Sequence, residues 1–172
     1  IKEHKGDISV ESTVGRGTEF SIFLPLISKR ANTEDAYESE MLETGTEHIL
    51  LVDDETAIAK LESQILSRLG YEVSWETDSA EALKDFKADP FKYDLVITDM
   101  TMPRMTGDLL AREIMAVRED MPVIICTGFS ERINEEQAKR IGVKGFLMKP
   151  VVKRDLARMI RDVLDNRNRP QK

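Results

Sequence analysis

Residues 93–107 read YDLVITDMTMPRMTG, and they contain the clearest strand signal of the chain. A largely apolar run at Leu95–Thr98 is followed at once by the carboxylate of Asp99, and a helix is predicted after Gly107. Short runs without polar alternation are typical of strands that are buried on both faces of a parallel sheet. The stretch therefore predicts a central parallel strand with Asp99 at its carboxyl end.

The same unit of a short strand and a helix occurs five times. The predicted strands are 49–52, 71–75, 95–98, 123–126 and 146–148. The first helix is predicted at 56–69, with a stop at Gly70 and an apolar stripe formed by Ile58, Leu61, Ile65 and Leu69. The second helix is predicted to begin with a capping box made by Asp78 and Glu81, and the last helix to end near Asn166.

The strand patterns also indicate the order of the sheet. Strands 49–52, 95–98 and 123–126 are continuous apolar runs, whereas strand 71–75 alternates as an edge strand does. Helices between parallel strands cover both faces of the sheet. The expected fold is α/β, a flavodoxin-like doubly wound (βα)5 domain with parallel strand order 2-1-3-4-5.

Polar side chains follow four of these strands directly. Asp53 and Asp54 follow the first strand, Asp99 the third, Thr127 the fourth, and Lys149 with Pro150 the fifth. Carboxyl ends of parallel strands meet at one edge, where ligands of doubly wound folds bind. Each element alone is a weak signal, because a polar turn, a helix cap or a chain reversal uses the same residues. Their order at successive strand ends favours a site.

The residue types in this set suit phosphoryl transfer. Clustered carboxylates raise one another's pKa unless a cation compensates them, and Mg²⁺ takes oxygen ligands of this kind. One carboxylate can then stay ionised and attack phosphorus. The Lys149 ammonium and the Thr127 hydroxyl would help to neutralise the transferred oxygens.

Residues 48–167 resemble the receiver domain of response regulators, through the segments ILLVDDE, DLVITDMTMPRMTG, PVIICTG and GFLMKP in this order. The resemblance implies that Asp99 is phosphorylated by a phosphohistidine donor. It implies that Asp54 and Asp99 bind Mg²⁺ directly together with the Thr101 carbonyl, and that Asp53 acts largely through water. Thr127 and Lys149 would bind the phosphoryl oxygens.

The family's conformational switch also corresponds to residues of this chain. Phe146 stands three residues before Lys149, where the family has an aromatic residue that turns inward when Thr127 moves. An ordinary core role for Phe146 is an equally open interpretation. The fourth helix has a thin apolar stripe (Ile133, Ala138 and Ile141) and is expected to move with the fifth strand and helix. Thr101 and Phe129 flank the acceptor and are expected to tune hydrolysis.

The front of the chain has a different character. Residues 1–26 are predicted to form two strands around Gly15 and Gly17, and GDISVESTVGRGTEFSIFLPL resembles the end of the ATP-binding domain of sensor histidine kinases. Gly15, Gly17 and Thr18 would then contact ATP only in an intact parent kinase. Residues 27–47 are polar and acidic and are interpreted as a linker, and 168–172 as a tail. This order is that of a hybrid histidine kinase.

Composition limits the partners. A net charge of −7 argues against nucleic acid, and no apolar run is long enough for a bilayer. The single Cys126 and the absence of a leader favour a cytoplasmic setting; a membrane anchor elsewhere in the parent, and a homodimer formed through it, stay open. Neither His4 nor His48 is expected to be the donor, which would be an upstream kinase region or a histidine phosphotransfer protein.

Three functions are compatible with these residues. The first is a signalling module that catalyses only its own phosphorylation and dephosphorylation, while the parent is a histidine kinase. The second is an aspartyl-nucleophile phosphohydrolase, but such enzymes have Asp-x-Asp at the nucleophile, and this chain has Asp99-Met100-Thr101. The third is a binding module that is never phosphorylated, against which the complete set of acceptor residues argues.

Overall fold

The computed structural model describes residues 1–26, 42–128 and 140–167. The chain divides into two compact units, Ile1–Glu40 and Met41–Lys172. Within the described ranges, no helix has both the length and the apolar character needed to cross a membrane.

The first unit is an antiparallel hairpin. A short 3-10 turn at Lys2–His4 precedes β1 (Asp7–Thr13) and β2 (Gly17–Phe23). The reversal has φ angles of 77° at Gly15 and 101° at Gly17, a backbone region that glycine adopts without a steric penalty. The two strands predicted around this glycine turn are confirmed.

The second unit alternates strands and helices. Its elements are β3 (His48–Val52), α1 (Thr56–Arg68), β4 (Glu72–Glu76), α2 (Ser79–Ala88), β5 (Leu95–Asp99), α3 (Gly107–Val117), β6 (Val123–Thr127), β7 (Gly145–Met148) and α4 (Lys153–Arg167). The five strands form a parallel sheet in the order β4-β3-β5-β6-β7. This confirms the flavodoxin-like fold and the 2-1-3-4-5 order.

The strand patterns predicted the positions in the sheet correctly. All residues of β5 and β6 are buried, whereas β4 is half-exposed at the edge. Alternate residues of the central strands point into two apolar cores, one on each face. Leu50 and Val96 belong to the core with α2 and α3, and Ile49 and Ile97 belong to the core with α1 and α4.

The predicted fourth helix falls mostly outside the described residues, with Ile133 and Ala138. Phe129, which was predicted to flank the site, also lies outside them. Arg140 and Ile141 are helical, and Gly142 follows them with a φ of 91°. This helix therefore ends at Gly142, whereas its apolar stripe remains a prediction. The Lys149–Pro150 peptide is cis.

The predicted apolar stripe of α1 is confirmed only in part: Leu69, directly after the helix, is buried, and Ile65 packs against the core, but Leu61 does not belong to the buried face. Leu61 is 59% exposed, and Ile58 and Ile65 are only partly buried. The buried face lies one residue further along and carries Ala59, Glu62 and Leu66. Glu62 lies on the buried face, but a hydrophobic pattern assigns glutamate to solvent. The prediction therefore placed the apolar stripe on the neighbouring face of the helix.

Half of the predicted capping box at α2 is present. The Asp78 carboxylate accepts a hydrogen bond from the Ala80 N–H at 2.9 Å. The Glu81 carboxylate instead pairs with Lys84 one turn later, with Nζ and Oε2 2.9 Å apart. Asp78 therefore caps the helix, as predicted, and Glu81 contributes a surface ion pair.

Candidate acceptor site at the carboxyl edge of the sheet

Four of the predicted polar residues lie at the carboxyl edge of the sheet. Asp53 directly follows β3, Asp99 and Thr127 end β5 and β6, and Lys149 directly follows β7. The Asp53 and Asp99 residues are only 2% and 8% exposed, and Thr127 is also buried. The chain therefore places two carboxylates in a poorly hydrated environment, which requires partners for their charge.

Lys149 supplies that charge to both carboxylates. Its Nζ lies 2.8 Å from Asp53 Oδ2 and 2.6 Å from Asp99 Oδ1. The Lys149 backbone N–H donates to the Thr127 carbonyl at 2.8 Å, which fixes the origin of the side chain beside β6. Residues that are up to 96 positions apart in the chain thus form one ion cluster.

Backbone N–H groups bind the second oxygen of each carboxylate. Asp53 Oδ1 accepts from the Glu55 N–H at 2.9 Å, and Asp99 Oδ2 accepts from the Thr101 N–H at 3.2 Å. Hydrogen bonds to both oxygens orient the two carboxylates before any ligand binds. Such fixed placement is what phosphoryl transfer mainly requires of a protein.

Burial and ion pairing act in opposite directions on this cluster. Burial raises the pKa of Asp99, and this outweighs the hydrogen bond and the charge of Lys149, which lower it. Burial alone would lower the pKa of Lys149, but its hydrogen bonds to Asp53 and Asp99 raise it overall. Lys149 therefore stays charged, and the pocket still holds more negative than positive charge.

That excess charge suits a divalent cation. Lys149 pairs with Asp53 and Asp99, and Asp54, which directly follows Asp53 in the chain, is half-buried. In the part of the chain that the structure describes, no three acidic, imidazole or thiol side chains converge as a metal site by themselves. The oxygen ligands at this edge are of the kind that Mg²⁺ takes, which is one or two carboxylates together with several waters.

The remaining predicted residues lie at different places. Thr101 is exposed beside the acceptor, and Phe146 is half-buried against the core that contains α2 and α3. Gly15, Gly17 and Thr18 belong to the hairpin of the first unit, where the Thr18 hydroxyl lies 2.8 Å from the Ser12 hydroxyl.

Comparison with known proteins agrees with this geometry. Residues 49–161 match the model of the response regulator receiver domain. This chain belongs to that family. A crystal structure of a response regulator receiver domain protein from Clostridium thermocellum is 34% identical to this receiver, with a TM-score of 0.68, and the match covers 71% of this chain and 97% of that one.

Curated relatives of the receiver include two sensor proteins. Sensor kinase CckA of Brucella abortus (strain 2308) is 30% identical over 176 residues, 98% of this chain and 19% of that protein. Sensor protein EvgS of Escherichia coli (strain K12) is 33% identical over 153 residues, 88% of this chain and 13% of that protein. The chain thus spans less than a fifth of either relative.

Sequence reasoning missed Glu62, a buried carboxyl group on α1 of the receiver. The residue is 8% exposed, and burial is the main reason that its pKa rises to about 7. The negative charges of Asp53 and Asp99 raise it further, while Lys149 lowers it. A charged residue between Ala59 and Leu66 on the buried face was the only sequence signal.

The raised pKa makes receiver stability pH-dependent. The folded chain holds the Glu62 proton more tightly than the unfolded chain, so stability falls as pH rises from the ordinary glutamate range to about 7. Relative to Glu62→Gln, the wild-type chain should lose about 2 to 3 kcal/mol between pH 5 and pH 8. Urea denaturation of both proteins at each pH measures this, and parallel pH profiles would contradict it.

Gly107 lets α3 begin directly against Asp99. Its N–H donates to the Met100 carbonyl at 2.9 Å, and a Cβ atom here would overlap the Asp99 carbonyl oxygen. Gly107→Ala should lower the free energy of unfolding by about 2 kcal/mol, because backbone atoms must move. Gly128→Ala, which meets nothing within 4 Å, is the control and should be neutral or slightly stabilising in denaturant melts. Equal stability of the two variants would contradict the overlap.

Proposed function

We propose that this receiver accepts a phosphoryl group from phosphohistidine on Asp99 and changes its contacts in response. The observation that carries the proposal is the placement of the Lys149 ammonium between two buried carboxylates, 2.8 Å from Asp53 and 2.6 Å from Asp99. The cluster holds a nucleophile in place and keeps a cation beside it, which are the requirements of phosphoryl transfer.

In the proposed reaction, an Asp99 carboxylate oxygen attacks the phosphorus of the donor. The new O–P bond forms as the P–N bond breaks, and the electron pair of that bond goes to the donor imidazole. Lys149 is already at Asp99 and would pair with a phosphoryl oxygen, while the Thr127 hydroxyl would donate to another. Hydrogen bonds of this charged kind contribute roughly 1.5–3 kcal/mol each.

Magnesium would complete the site. The carboxylates of Asp54 and Asp99 and the Thr101 carbonyl would hold the ion directly, and Asp53 would hold it through water. When bound, Mg²⁺ would neutralise charge on the phosphoryl oxygens.

The response to phosphorylation would begin at Thr127 and Phe146. A phosphoryl group adds a charge of about −1.5 to −2, and one or two new hydrogen bonds are enough to shift an equilibrium with a gap of a few kcal/mol. Movement of Thr127 toward the phosphoryl group would open space for Phe146. The surface that changes would comprise the helix before Gly142, β7 and α4.

The wider role that we propose is that of a phosphorelay segment in a hybrid histidine kinase. The similarity to CckA extends over 98% of the chain, and so includes the hairpin as well as the receiver. Residues 1–26 would be the end of the kinase ATP-binding domain, with Gly15, Gly17 and Thr18 near ATP in the intact parent. The segments 27–47, 48–167 and 168–172 would be linker, receiver and tail of a cytoplasmic portion.

Mass spectrometry of the intact chain tests the acceptor role. The chain is incubated with a small phosphodonor with Mg²⁺, and again after the metal is removed by chelation. A gain of one phosphoryl group only with the metal is expected. Transfer of that phosphoryl group from the chain to a histidine phosphotransfer protein would support a role in phosphorelay. An unchanged mass with bound Mg²⁺ would favour the binding module that is never phosphorylated.

A further inference from the structure

Residues 45–47, which precede β3, are joined to α4 by a compact polar cluster. Arg161 Nη1 lies 2.7 Å from Glu47 Oε1 and 2.9 Å from Oε2, and Arg161 Nη2 lies 2.8 Å from Asp165 Oδ1. The Glu47 and Arg161 side chains are only 27% and 15% exposed, so solvent screens this pair less than a surface pair. We call Gly45, Thr46, Glu47, Tyr71 and Arg161 the latch.

The backbone of the latch is also fixed. The Gly45 N–H donates to the Leu69 carbonyl at 3.1 Å, and the Glu72 N–H donates to the Glu47 carbonyl at 3.1 Å. A Cβ atom at Gly45 would overlap Glu47, Tyr71 and Arg161, so a larger residue here would have to displace the ion pair. The acidic segment that composition assigns to a linker therefore contacts the receiver at this end, through Gly45 and Glu47.

Tyr71 offers Arg161 a further partner. Its hydroxyl is buried against the Arg161 guanidinium, yet no group in the described part of the chain is aligned to hydrogen-bond with it. A buried hydroxyl without a partner costs free energy. A small shift of α4 that turned Arg161 toward Tyr71 would satisfy this hydroxyl and weaken the contact with Glu47.

The same helix is close in sequence to the acceptor site. Lys149, which contacts Asp53 and Asp99, is separated from α4 by three residues, and Leu156 and Ile160 of α4 pack in one core with Ile97 of the acceptor strand. The helix that carries Arg161 therefore packs in the same core as the strand that ends in Asp99.

We propose that the latch couples the occupancy of Asp99 to the segment before β3, through exchange of Arg161 between Glu47 and Tyr71. The proposal rests on the acceptor role of Asp99. Through the contact between Arg161 and Glu47, a change in α4 would then alter residues 45–47. This effect within the chain would occur in addition to any partner that the receiver binds.

Nuclear magnetic resonance of the full chain with Mg²⁺ and beryllofluoride tests the latch. The Thr101 and Gly107 amides report on the acceptor, and those of Gly45 and Glu72 report on the latch. We expect both pairs to shift in the wild type. In Tyr71→Phe, which removes only the hydroxyl, the acceptor pair should still shift and the change at the latch pair should be lost. Glu43→Gln, an exposed carboxylate on the same segment, is the control and should behave as the wild type.

The outcomes separate the two proposals. Unchanged signals at Thr101 and Gly107 with Mg²⁺ bound would overturn the acceptor role itself. A shift at those amides without any change at Gly45 and Glu72 would overturn the latch alone. An unaltered latch response in Tyr71→Phe would also overturn it, because a merely structural brace does not need the second partner of Arg161.

Discussion

Replacement of Asp99 by asparagine is expected to abolish the metal-dependent gain of one phosphoryl group. The amide has nearly the same shape but no nucleophilic carboxylate oxygen, so the O–P bond cannot form at this position. The fold should persist, since the change removes a charge whose burial is already unfavourable, as the raised pKa of Asp99 indicates. Mass spectra after incubation with phosphodonor and Mg²⁺ measure the effect.

Asp162→Asn is the matched control for this experiment. Asp162 lies on α4 with its side chain 64% exposed, so the same chemical change there should leave phosphorylation at the wild-type level. A full phosphoryl gain in Asp99→Asn would show that another residue is the acceptor. Beryllofluoride binding that is lost in Asp99→Asn and kept in Asp162→Asn would agree with the assignment.

The second large effect is expected for Lys149→Met, which keeps the length of the side chain and removes its charge. The phosphorylation rate should fall by about 10²-fold or more, as when one preorganised donor is lost from a polar reaction site. The buried carboxylates of Asp53 and Asp99 would also lose a shared partner. Without the Lys149 charge, which lowers it, the pKa of Asp99 should rise further, so the variant should lose more stability at pH 8 than at pH 5.

Quenched time courses measure the phosphorylation rate, and urea denaturation at pH 5 and pH 8 measures the free energy of unfolding. The two measurements separate the effect on catalysis from the effect on stability. Lys153→Met, an exposed lysine at the start of α4, controls for the loss of one positive charge and should change neither quantity. A wild-type rate in Lys149→Met would mean that its ammonium does not act on the transferred group. A pH-independent loss of stability would mean that the carboxylates are compensated by other groups.

The fold and most of the candidate site were predictable because the information is local. Each strand is a short apolar run, and each polar residue directly follows one, so sheet topology alone brings Asp53, Asp99, Thr127 and Lys149 to one edge. The roles of Phe146 and Thr127 in a switch were not settled in this way. They depend on an equilibrium between two states, which a strand pattern does not contain.

Two features were beyond prediction for the same physical reason. The buried face of α1 includes Glu62, and a hydrophobic pattern assigns such a residue to solvent. The segment at Gly45 and Glu47 has the composition of a linker, yet Arg161, 114 residues away from Glu47, holds it against the domain. The burial of Glu62 and the docking of the segment at Glu47 both depend on residues that are distant in sequence. These residues compensate the local preference of a charged or linker-like residue for solvent.

The burial of Cys126 in β6 has a practical consequence for labelling. The thiol is the single one in the chain, it is 2% exposed, and burial raises its pKa well above the ordinary range. Only the thiolate reacts readily with alkylating reagents, so the folded protein should be almost inert toward them. A cysteine engineered at the surface would then be the sole reactive site for a fluorophore. Slow alkylation of Cys126 itself would record the opening of the strand beside Asp99.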